Sequence, residues 1–277
     1  MMNQGKPNLW RLLLTPEAPG AWNMAVDEAI LEAATHREVL PTLRLYAWNP
    51  PCLSLGYAQP ISDVDESRQE EFGWDLVRRP TGGRAILHTD ELTYSVCGPE
   101  DEPVLAGDIL SSYKRLSSAI LAAIEQIGIS VQALPQKKNA NSKSPEPVCF
   151  EVPSNYEITA DGKKLVGSAQ ARRQGGVLQH GTLPLYGDLT RIVQVLSFPS
   201  QTSREQAAER LLSRAATLNT AMGEIVSWKQ AADSFIQAFQ NTLDLELAPG
   251  QLTEAERTRA EQLVDKKYGN PAWVKRL

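Results

Sequence analysis

The chain is poor in the residues that announce the commoner chemistries. Its 277 residues include only three cysteines and three histidines. Cys52, Cys97 and Cys149 are odd in number and form no CxxC pair, which argues against both a disulfide framework and a structural zinc site. Neither His88 nor His180 has a second ligand at metal spacing, so no metal is expected. There is no basic excess: 28 Lys+Arg stand against 33 Asp+Glu, a formal net charge of −5. Neither nucleic acid nor an anionic membrane surface is therefore an expected partner. Long apolar runs are missing too. The apolar residues before Thr15 and Pro16 are too few for a secretory or membrane-spanning segment, and a cytoplasmic location is expected.

Two phosphate-cradling patterns are also lacking. RRPTGGRAILH, Arg78 to His88, pairs arginines with glycines but fits neither G-x-x-x-x-G-K-[ST] nor G-x-G-x-x-G. The plain reading is a tight turn between strands, with Gly82 and Gly83 supplying positive φ. A Ser-His-Asp hydrolase is equally unsupported, because VGSAQ lacks the second glycine of G-x-S-x-G.

What is present is a regular alternation of short strands and amphipathic helices. Residues 8–14 read as a strand and GAWNMAVDEAILEAATHR as a helix. TLRLYAW alternates Leu43 and Leu45 with Arg44 and Tyr46, and CLSLGY follows after the turn at Asn49-Pro50-Pro51. Residues 62–72 are charged and read as a helix closed by Gly73; WDLVRR, RAILH and ELTYSV are further strands. In residues 108–127 a helical stripe collects Ile109, Leu110, Tyr113, Leu116, Ile120 and Ile124 before Gly128. Residues 135–147, rich in lysine and bracketed by prolines, read as a loop. Two strands then flank Asp161-Gly162, the pair a type I′ hairpin prefers, and QGGVLQHGTLPLY supplies another. From Asp188 onward the pattern is helical. The sum is an α+β protein with a mixed, largely antiparallel β-sheet flanked by helices. A single catalytic domain over 1–277 is expected, with a core at about 9–245 and a helical C-terminal extension at about 250–277.

Few side chains stand out as chemistry. Cys52 and Cys97 sit in apolar strands and read as small buried hydrophobes. Cys149 follows the polar loop, where a thiol is accessible, and Lys163 and Lys164 lie one hairpin away, near enough to favour a thiolate. Lys163 reads as a solvated strand end. Lys164 precedes Leu-Val-Gly-Ser-Ala, where Gly167, Ser168 and Ala169 let a ligand lie against backbone. His88 and His180 read as hydrogen-bonded structural imidazoles.

Taken in order, RRPTGGRAILHTDELTYSV, CFEVPSNYEI, GKKLVGSAQARR, LQHGTLPL and the terminal KYGNPAWVKR resemble the lipoate and biotin protein ligase superfamily. Within it they resemble the cysteine-dependent octanoyltransferases. The likeness runs from about Leu9 to the C-terminus. It implies the biotin/lipoate protein ligase catalytic-domain fold, with Cys149 as acyl-thioester nucleophile and Lys164 as the cation that depresses its pKa. It further implies that Arg78, Arg79, Gly82, Gly83, His88, Gly167, Ser168, His180 and Gly181 bind substrate. The expected reaction moves an octanoyl group from acyl carrier protein to a lysine of a lipoyl domain, in the glycine-cleavage H protein or the 2-oxoacid dehydrogenase E2 component, with no cofactor. Three alternatives stay open: an amidotransferase that takes octanoyl from the H protein, an ATP-dependent lipoate ligase, and a non-catalytic acyl- or carrier-binding module. Ligases of the superfamily usually carry a third glycine where Arg84 stands and need no cysteine at position 149. Both departures favour transfer over adenylation.

Overall fold

The computed structural model describes residues 8–134 and 157–277. In chain order, β1 (Asn8–Leu14) is followed by α1 (Gly20–Thr35), β2 (Thr42–Tyr46), β3 (Cys52–Leu55), α2 (Glu66–Glu71), β4 (Asp75–Arg78), β5 (Ile86–His88) and β6 (Glu91–Pro99). Then come α3 (Ile109–Ile127), β7 (Gln132–Leu134), β8 (Glu157–Ala160), β9 (Lys163–Arg173) and β10 (Gly176–Pro184). A 3-10 turn (Leu189–Gln194) leads to α4 (Gln201–Arg214), α5 (Leu218–Met222), α6 (Trp228–Leu243), β11 (Leu245–Pro249), α7 (Glu254–Leu263) and α8 (Pro271–Val274).

Eight strands form one sheet in the order β11-β1-β2-β6-β10-β9-β8-β7, and β4-β3-β5 form a second, smaller one. The main sheet is parallel from β11 through β1 to β2 and antiparallel beyond. This is the mixed, largely antiparallel α+β arrangement the sequence predicts. The strands bury both faces because helices cover both. Leu43, Leu45, Tyr94 and Val96 face a core closed by α3 and α6 through Leu116, Ile120, Phe235 and Phe239. On the other face α1 packs between sheet and α7, so eleven of its sixteen residues are buried and five are alanine. Cys52 and Cys97 belong to that layer, where burial pushes both thiols up.

Local signals hold at most element ends. Asp65 and Asp108 cap α2 and α3 by accepting the amides of Arg68 and Ser111, and Gly128 closes α3 at φ 112°. Asp161 (φ 48°) and Gly162 (φ 76°) turn the β8–β9 hairpin. Four expectations change. The helix over residues 62–72 shortens to α2 behind a 3-10 turn at Ile61–Asp63. The stretch from Asp188 onward, read as helical, includes a strand, β11, at the sheet edge. The α3 stripe begins late, with Ile109 54 % and Leu110 43 % exposed at the helix start. Of the glycine pair, only Gly83 takes positive φ, at 96°.

The C-terminal stretch is tied to the core at several points. β11 adds to the sheet edge beside β1. Beyond it, Arg11 donates from Nη1 to Glu256 (2.8 Å) with both side chains buried. Burial raises the Glu256 carboxyl, but hydrogen bonds from Arg11 and from the Thr253 amide outweigh it and hold the pKa below the usual carboxylate range. Arg11→Leu strands that carboxylate, and we expect a loss of about 3 kcal/mol in urea unfolding at neutral pH. A depressed folded-state pKa places the pair's stabilisation above the unfolded carboxylate range and removes it as pH falls through the folded value. The mutational cost should therefore shrink in acid; a cost under about 1 kcal/mol at neutral pH would contradict the assignment.

Candidate active site

A cavity of about 360 Å³ opens on the α1 side of the main sheet. Its floor follows from register. Gly167 of β9 faces Thr182 of β10, Thr182 faces Thr93 of β6, and Thr93 faces Tyr46 of β2. A parallel row runs Ala169, His180, Ser95, Arg44. Each row crosses three strand spacings, about 14 Å in all. Lys164 lines the cavity at the β9 side and Trp48, just past β2, at the other.

Lys164 reaches this face through an irregularity. It stands three residues from Gly167, an odd separation that puts two side chains on opposite faces of a regular strand. Between β8 and β9 the register moves from Ile158↔Val166 to Thr159↔Lys164, leaving one extra residue on β9. That bulge turns Lys164 toward the face of Gly167. The lysine is 4 % exposed, and its carbonyl accepts the amide of Ala216 (3.0 Å).

Between this floor and α1 lies a buried ionic network. Asp27 of α1 accepts from Arg44 Nη1 (2.7 Å), Ser95 Oγ (2.8 Å) and Tyr46 Oη (2.9 Å). Burial raises the Asp27 carboxyl, but the charge of Arg44 and the approach of His180 outweigh it, so its pKa falls below the usual range. His180 Nδ1 lies 3.6 Å from Asp27 Oδ2, an electrostatic contact rather than a hydrogen bond, while Nε2 meets Thr81 Oγ1 at 2.6 Å. Burial pushes the His180 pKa down against the pull of Asp27. Thr81 belongs to the RRPTGG loop, so this imidazole fastens the loop to the sheet.

A second chain of bonds forms the far wall. Arg79 donates from Nη1 to Ser54 O (2.9 Å) and Ser54 Oγ (3.1 Å); Ser54 Oγ meets His88 Nε2 (2.8 Å), and His88 Nδ1 meets Glu91 Oε1 (2.7 Å). Glu91 also accepts from Thr93, which accepts from Trp48 Nε1 (2.8 Å), and the indole stacks on His88 at 4.0 Å. Burial raises Glu91, yet His88 and the hydroxyl bonds hold its pKa below the usual range.

The glycines serve close backbone approach. A Cβ on Gly56 would lie 1.9 Å from Gly83 O, so the RRPTGG loop rests directly on the β3 exit. A Cβ on Gly181 would strike Ser168 Oγ, Gly167 O and the Tyr94 ring, all within 2.7 Å. Ser168 Oγ accepts from Tyr94 Oη (2.7 Å), whose pKa burial raises to about 12.

Of the residues singled out from sequence, Lys164, Gly167, Ser168, His180 and Gly181 line the cavity from β9 and β10. Arg79, Gly82, Gly83 and His88 line it from the opposite side. Arg78 does not: its guanidinium is fully buried elsewhere, donating to Val274 O (3.0 Å), Gly56 O (2.9 Å) and Gln59 O. Cys149 lies outside the described residues, as does the loop at 135–147. Sequence reasoning missed Trp48, Ser54, Asp27 and Gly56. An aspartate inside an apolar helix and an arginine inside an apolar strand were the available signals for the ionic network.

Comparison with known proteins places this geometry. Residues 19–240 match the family model of the lipoyl protein ligase A/B catalytic domain. The chain belongs to that family. Among its relatives, octanoyltransferase LipM of Symbiobacterium thermophilum is 41 % identical over 268 residues, covering 95 % of this chain and 97 % of the relative. LipM of Moorella thermoacetica is 41 % identical, with 96 % and 98 % covered. The fold is similar to that of a bi-partite lipoate protein ligase of Thermoplasma acidophilum, solved in work that included its E2 lipoyl domain (TM-score 0.79, 26 % identity, 98 % and 96 % covered). It is also similar to a lipoate-protein ligase A bound with ATP (TM-score 0.77, 28 % identity, 96 % and 98 % covered). The fold is thus shared with lipoate protein ligases, one of them solved with ATP bound.

Trp48 also lines a neighbouring open cleft with Tyr186 and Trp228. Trp48→Ala should join the two spaces. Binding of dodecanoate relative to octanoate, measured by calorimetry, is expected to rise about ten-fold; an unchanged ratio would show that the indole is not the end wall.

Proposed function

We propose that the protein is an octanoyl-[acyl-carrier-protein]:protein N-octanoyltransferase, acting in the cytoplasm as a single catalytic domain. The cavity between Lys164 and Trp48 carries this reading. It is closed enough to enclose a medium acyl chain, and it sets one buried lysine across from exposed backbone at Gly82 and Gly83. The full-length likeness to octanoyltransferases specifies the acyl group.

The chemistry proceeds in two halves. The Cys149 thiolate attacks the carbonyl of an octanoyl thioester on the carrier's pantetheine; the carbon–sulfur bond to pantetheine breaks, and the departing thiolate takes up a proton. A neutral lysine amine of a lipoyl domain then attacks the enzyme thioester, forming an amide, releasing the Cys149 thiolate and losing a proton to solvent. Thioester to amide is downhill, so no ATP is required. Each half passes through a tetrahedral oxyanion. In this reading the Lys164 ammonium and loop amides at Gly83 stabilise it. The acceptors are lipoyl domains of the H protein and of E2 components.

Arg84 favours transfer over adenylation. It lines the cavity where a ligase usually has a third glycine, and its guanidinium lies 3.8 Å from Asp63. A side chain and its positive charge thus occupy the rim beside Gly83.

A transfer assay to apo-lipoyl domain with three donors tests the reading: octanoyl carrier protein, octanoyl H protein, and free octanoate with ATP. The carrier thioester should support transfer without ATP, and Lys164→Ala should lower that rate by about 100-fold. Transfer that demands ATP, or that proceeds only from octanoyl H protein, would replace this reading with the ligase or the amidotransferase.

A further inference from the structure

The outer side of the RRPTGG loop carries a concentration of positive charge that the acyl chemistry does not use. The Arg276 guanidinium lies 3.9 Å from the Tyr57 ring centroid and 4.1 Å from that of Trp273. Arg173 lies over the same tyrosine at 5.0 Å. Arg276 Nη2 (2.7 Å) and Arg78 Nη1 (3.4 Å) both donate to the Tyr57 carbonyl, so three guanidiniums converge on one residue. Lys267 adds a fourth cation over Trp273 at 4.5 Å, but Glu28 pairs with it.

These arginines are not neutralised. Among the described residues no carboxylate pairs with Arg78, Arg173 or Arg276. Two buried donors, Arg78 Nη2 and Arg276 Nε, find no acceptor at all. Burial and the nearby Arg276 pull the Arg78 pKa down, and Arg276, followed by Arg173, pulls the Tyr57 phenol down. In a chain of net charge −5, an uncompensated group of three guanidiniums is not a by-product of composition. Arg173 and Tyr57 are exposed, so the group is open to a ligand.

Its position relates it to the acyl site. The Tyr57 amide donates to Thr81 O (2.8 Å) and Arg173 Nη2 to Pro80 O (3.2 Å), so the cations sit directly behind Pro80 and Thr81. The next residues of that loop, Gly82 and Gly83, are exposed and line the cavity. One loop therefore separates the cavity mouth from the arginines.

We propose that Arg173 and Arg276 bind the phosphodiester of the pantetheine arm that delivers the acyl thioester. The proposal rests on the reading of the donor as a carrier-bound thioester. With the thioester carbonyl at the mouth beside Lys164, the pantetheine chain is long enough to cross Gly82 and Gly83 and set its phosphate on the outer face. Guanidiniums suit a phosphodiester because they offer paired N–H donors, and Arg78 adds a fixed charge behind them. The lipoyl-domain acceptor carries no such arm, so the site serves only the first half-reaction.

Equilibrium binding to a Cys149→Ala protein separates this claim from catalysis. Octanoyl-4′-phosphopantetheine carries a phosphate at the end of its pantetheine; octanoyl-pantetheine does not. The phosphate-bearing ligand should bind about ten-fold more tightly. That advantage should vanish in Arg173→Gln and in Arg276→Gln and survive in part in Arg173→Lys, with octanoyl-pantetheine affinity unchanged in all three. Equal affinities in the parent protein would overturn the proposal, as would a loss shared by both ligands, which would make the arginines supports of the loop. A loss seen only with octanoyl carrier protein would overturn it in favour of carboxylates on the carrier surface. Whether intact Cys149 becomes acylated is a separate measurement, and its failure would count against the catalytic reading alone.

Discussion

One buried carboxylate holds the site in register. Asp27 is fully buried on α1, where its charge is tolerable only because Arg44, Tyr46 and Ser95 donate to it from β2 and β6. The same contacts fix α1 over the sheet and bring His180 close enough for the imidazole to be held between Asp27 and Thr81. Helix, three strands and the RRPTGG loop are thus positioned through one cluster. Such a cluster is stable as a whole and costly in part, since removing any donor leaves charge in a place water cannot reach.

The loop that this cluster fastens has two working faces. Inward, Gly82 and Gly83 present backbone to the cavity; outward, Pro80 and Thr81 carry the hydrogen bonds of Arg173 and Tyr57. Glycine is needed where backbone meets backbone, at Gly56 against Gly83 and at Gly181 against Gly167. The C-terminal residues complete the outer face. Trp273 Nε1 donates to Arg78 O (2.9 Å) and Val274 O accepts from Arg78 Nε, so the last helix clamps the end of β4. The C-terminal extension is thus wedged against Arg78.

Much of this was legible in advance, for identifiable reasons. Strands and the Asp161-Gly162 hairpin follow from period and turn chemistry, and these are local. The ordered motifs bring Lys164, Arg79, Gly82 and His180 around one cavity. What stayed hidden depends on tertiary contact. The bulge that turns Lys164 inward has no residue signature. Arg44 and Tyr46 are buried because α1 lies over them, and Ile109 and Leu110 sit on the apolar stripe of α3 yet stay exposed at its start. Arg78 reads as a ligand group beside Arg79, but successive residues of a strand point to opposite faces, and its guanidinium turns to the C-terminal helix instead.

The central claim is that acyl transfer passes through a covalent thioester on Cys149 without adenylation. Intact-mass spectrometry after incubation with octanoyl carrier protein, in the absence of ATP, addresses it most directly. The expected result is one octanoyl adduct on the unaltered protein, sensitive to hydroxylamine and absent from Cys149→Ala. An adduct-free protein that still octanoylates a lipoyl domain, or an adduct that survives in Cys149→Ala, would contradict the account.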